Sequence, residues 1–143
     1  EIYSCDWSSD VCSSDLLPQI TKLGTDLSVP DSRLEAVFSL YRQGIREGGF
    51  ESAIFGHIGN NHVHVNLIPH DIDQYARGKA MFSCWAEKIV KMGGTVSAEH
   101  GIGKLKTGLL KQLYSAEQID AMRQLKRCFD PKMRLNRGNI FEV

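Results

Sequence analysis

Residues 52–68, SAIFGHIGNNHVHVNLI, read as two β-strands joined by a tight turn. Residues 52–58 and 62–68 form the strands, Gly59, Asn60 and Asn61 the turn, and Pro69 closes the second strand. Successive side chains point to opposite faces of a strand. His62, His64 and Asn66 therefore share one face, and Val63, Val65 and Leu67 the other. The apolar set has to meet a core, so the imidazoles and the carboxamide line a polar surface or a cavity. His57 ends the first strand and can come beside His64 across the turn. Neutral imidazole is the commonest protein ligand for divalent metals, so two of them on neighbouring strands suit such an ion. The same row also suits partly exposed histidines on a solvated sheet face.

Helical periodicity surrounds this hairpin. Before it, residues 26–29 read as a short strand stopped by Pro30, and Asp31 or Ser32 caps a helix running to about Arg46. Leu34, Val37, Phe38, Tyr41 and Ile45 give that helix one apolar stripe, and Gly48-Gly49 ends it. After the hairpin, residues 71–92 read as a long helix with Tyr75, Phe82, Trp85 and Ile89 on one face. Residues 95–98 form a short strand leading to a glycine-rich loop at 101–103. Helices follow over 104–113 and 116–129, the second with Ser115 and Gln118 in a capping box. An irregular tail ends the chain. The order predicts an α+β fold, an antiparallel sheet covered by helices.

Glu99-His100 lies between Gly93-Gly94 and Gly101/Gly103. Glycines permit turns and close backbone approach. A carboxylate there can add a third ligand to two imidazoles, and His100 suits a general base near neutral pH. A solvent-exposed glutamate and a turn histidine fit the local pattern as well. Lys104 and Lys106 fall at a helix start, where cations are disfavoured. That placement points to an anion nearby, though plain solvation also accounts for it. The GIG at 101–103 is neither GxGxxG nor a P-loop.

The 143 residues are 42% hydrophobic and 24% charged, which suits one globular domain and excludes collagen or a disordered chain. No apolar run approaches the roughly 20 residues of a membrane helix. Formal net charge is +0, so composition gives no reason to expect nucleic acid as a partner. Residues 1–16, EIYSCDWSSDVCSSDL, stand apart, with four acids, five serines, two cysteines and no base. They lack the basic and apolar regions of a signal peptide. Residues 5–16 back-translate onto a common sequencing-adapter oligonucleotide. The expectation is a non-native, disordered lead over 1–16 and a native domain over 17–143, itself the C-terminal fragment of a longer polypeptide. Without the lead, 13 acids face 17 bases, a balance that suits an anionic small-molecule substrate. The remaining cysteines, Cys84 and Cys128, lie far apart and suit a reducing, cytoplasmic compartment.

GHIGNNHVHVN (56–66), SAEHGIGKLK (97–106) and FDPKMRLNRGNIF (129–141) together resemble the C-terminal region of FAD-linked oxidases. That group contains D-lactate dehydrogenase, D-2-hydroxyglutarate dehydrogenase and the FAD subunit of glycolate oxidase. The resemblance covers essentially all of 17–143 and implies a role for each motif. His57, His64 and Glu99 would bind a divalent metal, zinc, manganese or iron. His100 would take the substrate's hydroxyl proton, with Asn66 and Lys106 at the substrate and Asn136 turned towards the flavin. The implied reaction is oxidation of an anionic 2-hydroxy acid, with hydride passing to FAD. FAD would be held mainly by an N-terminal domain of the parent chain, so this chain alone is expected to be inactive and to bind FAD poorly. An iron–sulfur partner subunit and a peripheral membrane association of the parent are further expectations of the resemblance.

Three departures stand out. The usual turn GDGN is here GNNH, Gly59 to His62, which removes an acid and adds an imidazole. Gly24 stands where hydroxyglutarate-type members carry a lysine that grips a substrate carboxylate, which argues against a dicarboxylate held in that way. Arg137 replaces the proline of the usual LNPG. The competing readings are a zinc hydrolase using His57, His64 and Glu99, and a non-catalytic metal-binding module. Against the hydrolase, the chain has no HExxH.

Overall fold

A computed structural model describes residues 20–141. The adapter-like lead expected over 1–16 lies outside the described residues. The sheet has three strands, β1 (Leu23–Gly24), β2 (Glu51–His57) and β3 (His62–Ile68), in the order β1-β3-β2 and antiparallel throughout. Helices α1 (Leu34–Gly48), α2 (Ile72–Lys91), α3 (Thr107–Leu113) and α4 (Ala116–Phe129) complete the α+β architecture. No helix among the described residues is long and apolar enough to cross a membrane.

Central β3 separates core from site. Val63, Val65 and Leu67 are buried against Trp85, Ala86 and Ile89 of α2 and Val37 and Tyr41 of α1. Alternation then turns His62, His64 and Asn66 to the opposite face. His62 and His64 are only 4% and 6% exposed, so this face is a covered polar layer and not a solvated one. A smaller cluster of Leu110, Ile119 and Phe141 ties α3, α4 and the tail together.

Local signals set most element ends. Gly49 adopts a left-handed conformation, φ 64°, and the Phe50 amide reaches back to the Ile45 carbonyl, which stops α1. Asp71 caps α2 through the Gln74 amide, and Ser115 and Gln118 form the expected capping box on α4. Gly56 is demanded by its surroundings. A Cβ there would lie 2.2 Å from the His62 carbonyl oxygen, and its φ is 148°.

Several expectations shift. The first strand is Leu23–Gly24, not 26–29. From Asp26 the chain gains the 95–98 segment as a partner, through Ser28–Thr95 amide bonds and Ala98 N–H to the Asp26 carbonyl, and keeps only a single bridge to β3, from Ser28 to His62. Residues 95–98 accordingly contribute an isolated bridge at Thr95 rather than a strand. The first helix opens with a single 3-10 turn, Asp31–Arg33, before α1 begins. Helix α3 starts at Thr107, not 104, because Gly103 turns the backbone at φ 56° and Lys106 is drawn away to Asp26.

Candidate metal centre and substrate cavity

The hairpin and the glycine-flanked loop converge on one point. The ladder pairs His57 with His62 and Phe55 with His64, and the His57 and His64 rings lie 6.0 Å apart, edge to face. Glu99 reaches into this group from the loop. Its carboxylate lies 3.1 Å from His64 Nε2, 3.6 Å from His57 Nε2 and 3.8 Å from His62 Nδ1. His57, His62, His64 and Glu99 each offer one ligand atom, all within 4.8 Å of one another. Four ligands at zinc–ligand lengths of about 2.1 Å would sit about 3.4 Å apart on a tetrahedron, and the Glu99 carboxylate lies 3.1–3.8 Å from the three imidazoles. The three residues expected to bind metal are thus brought together, and His62 joins them.

Proton bookkeeping supports a cation here. His64 Nδ1 faces the Thr25 carbonyl at 2.9 Å, and a carbonyl can only accept, so Nδ1 carries a proton. In the neutral ring, Nε2 then points its lone pair at the Glu99 carboxylate, 3.1 Å away. Two acceptors face each other unless a proton or a metal ion lies between them. A bond of this kind to a carbonyl is the outer contact that fixes an imidazole in the tautomer able to bind a metal through Nε2. Burial, reinforced by the neighbouring His64, lowers the His62 pKa from its ordinary value despite the opposing carboxylates of Glu99 and Asp26.

Asp26 organises the loop, and nothing in the sequence reading singled it out. Its side chain is almost wholly buried and accepts from the amides of Ala98, Glu99 and His100, the Ser97 hydroxyl and Lys106 Nζ. Burial raises its pKa, but the Lys106 ammonium at 2.6 Å, the Ser97 hydroxyl and the Glu99 amide outweigh it and hold the carboxyl at about 2. This is the anion that the misplaced lysine called for. Its only sequence signal is an acid in the otherwise unremarkable stretch Thr25-Asp26-Leu27.

Two cavities flank the cluster. The larger, about 510 Å³, is lined by Lys22, His64, Asn66, His100 and Lys106 among others. The smaller, about 360 Å³, is lined by Ser28, Asn60, His62, Thr95 and Ser97. His57 and Glu99 border both, whereas His64 borders only the larger of the two and His62 only the smaller. His100 stands at the larger cavity, half exposed, with Nε2 3.0 Å from Glu99 and its ring stacked on His64. Lys106 borders the cavity too, but its charge is engaged by Asp26. Lys22 has no carboxylate partner among the described residues and was not anticipated. It immediately precedes β1 and lines the larger cavity together with Gly24. Asn136 borders neither cavity. It is exposed in a tail turn at φ 45°, while the Ile140 amide bonds the Gly103 carbonyl and brings the tail beside the glycine loop.

Residues 16–140 match the family described as FAD linked oxidases, C-terminal domain. A D-2-hydroxyglutarate dehydrogenase of Xanthomonas citri pv. viticola is 32% identical over 136 residues, 91% of this chain and 29% of that protein. The glycolate oxidase subunit GlcD of Bacillus subtilis is 31% identical over 123 residues, 85% of this chain and 26% of its own length. A D-lactate dehydrogenase of Archaeoglobus fulgidus is 32% identical over 118 residues, 80% of this chain and 26% of that protein. The chain thus spans 26–29% of the length of these relatives.

Proposed function

Since this chain belongs to the C-terminal-domain family of FAD-linked oxidases, we propose that it forms the substrate-facing part of an FAD-dependent oxidoreductase acting on a 2-hydroxy acid. The observation that carries the reading is the convergence of His57, His64 and Glu99 beside a cavity that also holds His100 and Lys22, a lysine with no carboxylate partner among the described residues. A divalent ion held by those three residues would supply Lewis-acid polarisation of the substrate hydroxyl. FAD, held mainly by the remainder of the parent protein, would supply the hydride acceptor.

The chain's own residues orient the substrate and move its proton. His100 lines the larger cavity beside Glu99 and takes the hydroxyl proton as general base. Asn66, on the same strand face as His64, offers a carboxamide to the substrate's polar groups. Lys22 contributes the free positive charge that favours an anionic substrate, while Lys106 acts on the site through Asp26 by holding the loop.

Metal analysis tests the centre. The purified chain, incubated with zinc and desalted, is expected to retain about one ion per chain. His57→Ala and His64→Ala should retain at most a tenth of that. Equal retention by all three proteins would remove the site.

A further inference from the structure

We propose that His62 is a fourth protein ligand to the cation held by His57, His64 and Glu99, and that it closes the side of the site facing the smaller cavity. This rests on the metal reading above and goes beyond it, because the family pattern places no ligand at this position. The turn reads GNNH in place of GDGN, and the added imidazole is His62.

Three observations carry the assignment. His62 is 4% exposed and turns Nδ1 towards Glu99 Oε2 at 3.8 Å, with its ring centroid 4.1 Å from that of His64. Its other nitrogen, Nε2, is buried and makes no hydrogen bond among the described residues, although Asp26 Oδ1 is 3.2 Å away, out of alignment. Asp26 does not need this proton, because five other donors already fill a carboxylate that has about four lone-pair sites. A histidine serving only to satisfy Asp26 would be aligned on it. His62 instead leaves Nε2 without a hydrogen bond among the described residues and turns Nδ1 towards the cluster.

The backbone holds this placement. His62 is paired with His57 on one side and bridged to Ser28 on the other. Only the smaller cavity borders His62, so its coordination leaves the side bordered by His64, Asn66 and His100 for substrate.

X-ray absorption at the zinc edge of the zinc-loaded 143-residue chain tests this by counting imidazoles. Three imidazoles and one oxygen ligand are expected in the wild type. Two are expected in His62→Asn, with zinc bound at least about tenfold more weakly in a chelator competition. Two imidazoles in the wild type would overturn the role of His62 while leaving the three-residue site standing. Unchanged affinity and spectrum in a folded His62→Asn would do the same. A wild-type chain that takes up no zinc would overturn both this role and the metal reading. The wild-type spectrum decides even if the variant does not fold.

Discussion

Asp26 shows how one buried carboxylate shapes a site without entering its chemistry. Three consecutive amides, a hydroxyl and an ammonium converge on it, so the loop carrying Glu99 and His100 is held to the start of the sheet. Its folded pKa, about 2, lies below the ordinary 3.8. The unfolded chain therefore binds this proton more readily, and ionised Asp26 stabilises the fold fully only above the unfolded value. That contribution is lost as pH falls from about 4 towards 2. It amounts to about 2 kcal/mol in the metal-free protein. Denaturant unfolding of the wild type should show this loss over that window, and Asp26→Asn should show a smaller one. Identical pH slopes would mean that Asp26 is not held as described.

The β2–β3 hairpin depends on a backbone approach that only glycine permits. Gly56→Ala would press a methyl against the His62 carbonyl and strain a positive φ. The expected cost is about 2–4 kcal/mol in urea unfolding, with loss of zinc binding, since His57 and His62 are paired one residue further on. The α4 cap is the contrasting case. Ser115→Ala removes a bond to the Gln118 amide at a helix remote from the imidazoles, and should cost about 1 kcal/mol with zinc binding unchanged. A Gly56→Ala protein that binds zinc normally would show that the close approach is not needed.

Among its described residues the chain presents a cavity bordered by His57, His64 and Glu99, and the chain spans 26–29% of the length of its relatives. The proposed function assigns flavin binding mainly to a part of a longer protein. Titration of this chain with FAD should give no stoichiometric complex at micromolar concentrations, whereas zinc should bind under the same conditions. Tight one-to-one FAD binding would contradict the division of labour proposed above.

Much of the site was legible before folding because it rests on local geometry. The alternation in β3 assigned His62, His64 and Asn66 to one face, and the Ser115–Gln118 cap and the glycines after α1 marked helix ends, since each reflects contacts within a few residues. Lys106 and Asp26 are different. They lie 80 positions apart, and no period or motif along the chain records that one neutralises the other. The ligand role argued for His62 likewise depends on Glu99, brought in from a distant loop, and on an already saturated Asp26. Alternation is a property of bonded geometry, so it can be read in one dimension. Charge pairing and the filling of lone pairs depend on distances through space, and those exist only once the chain has packed.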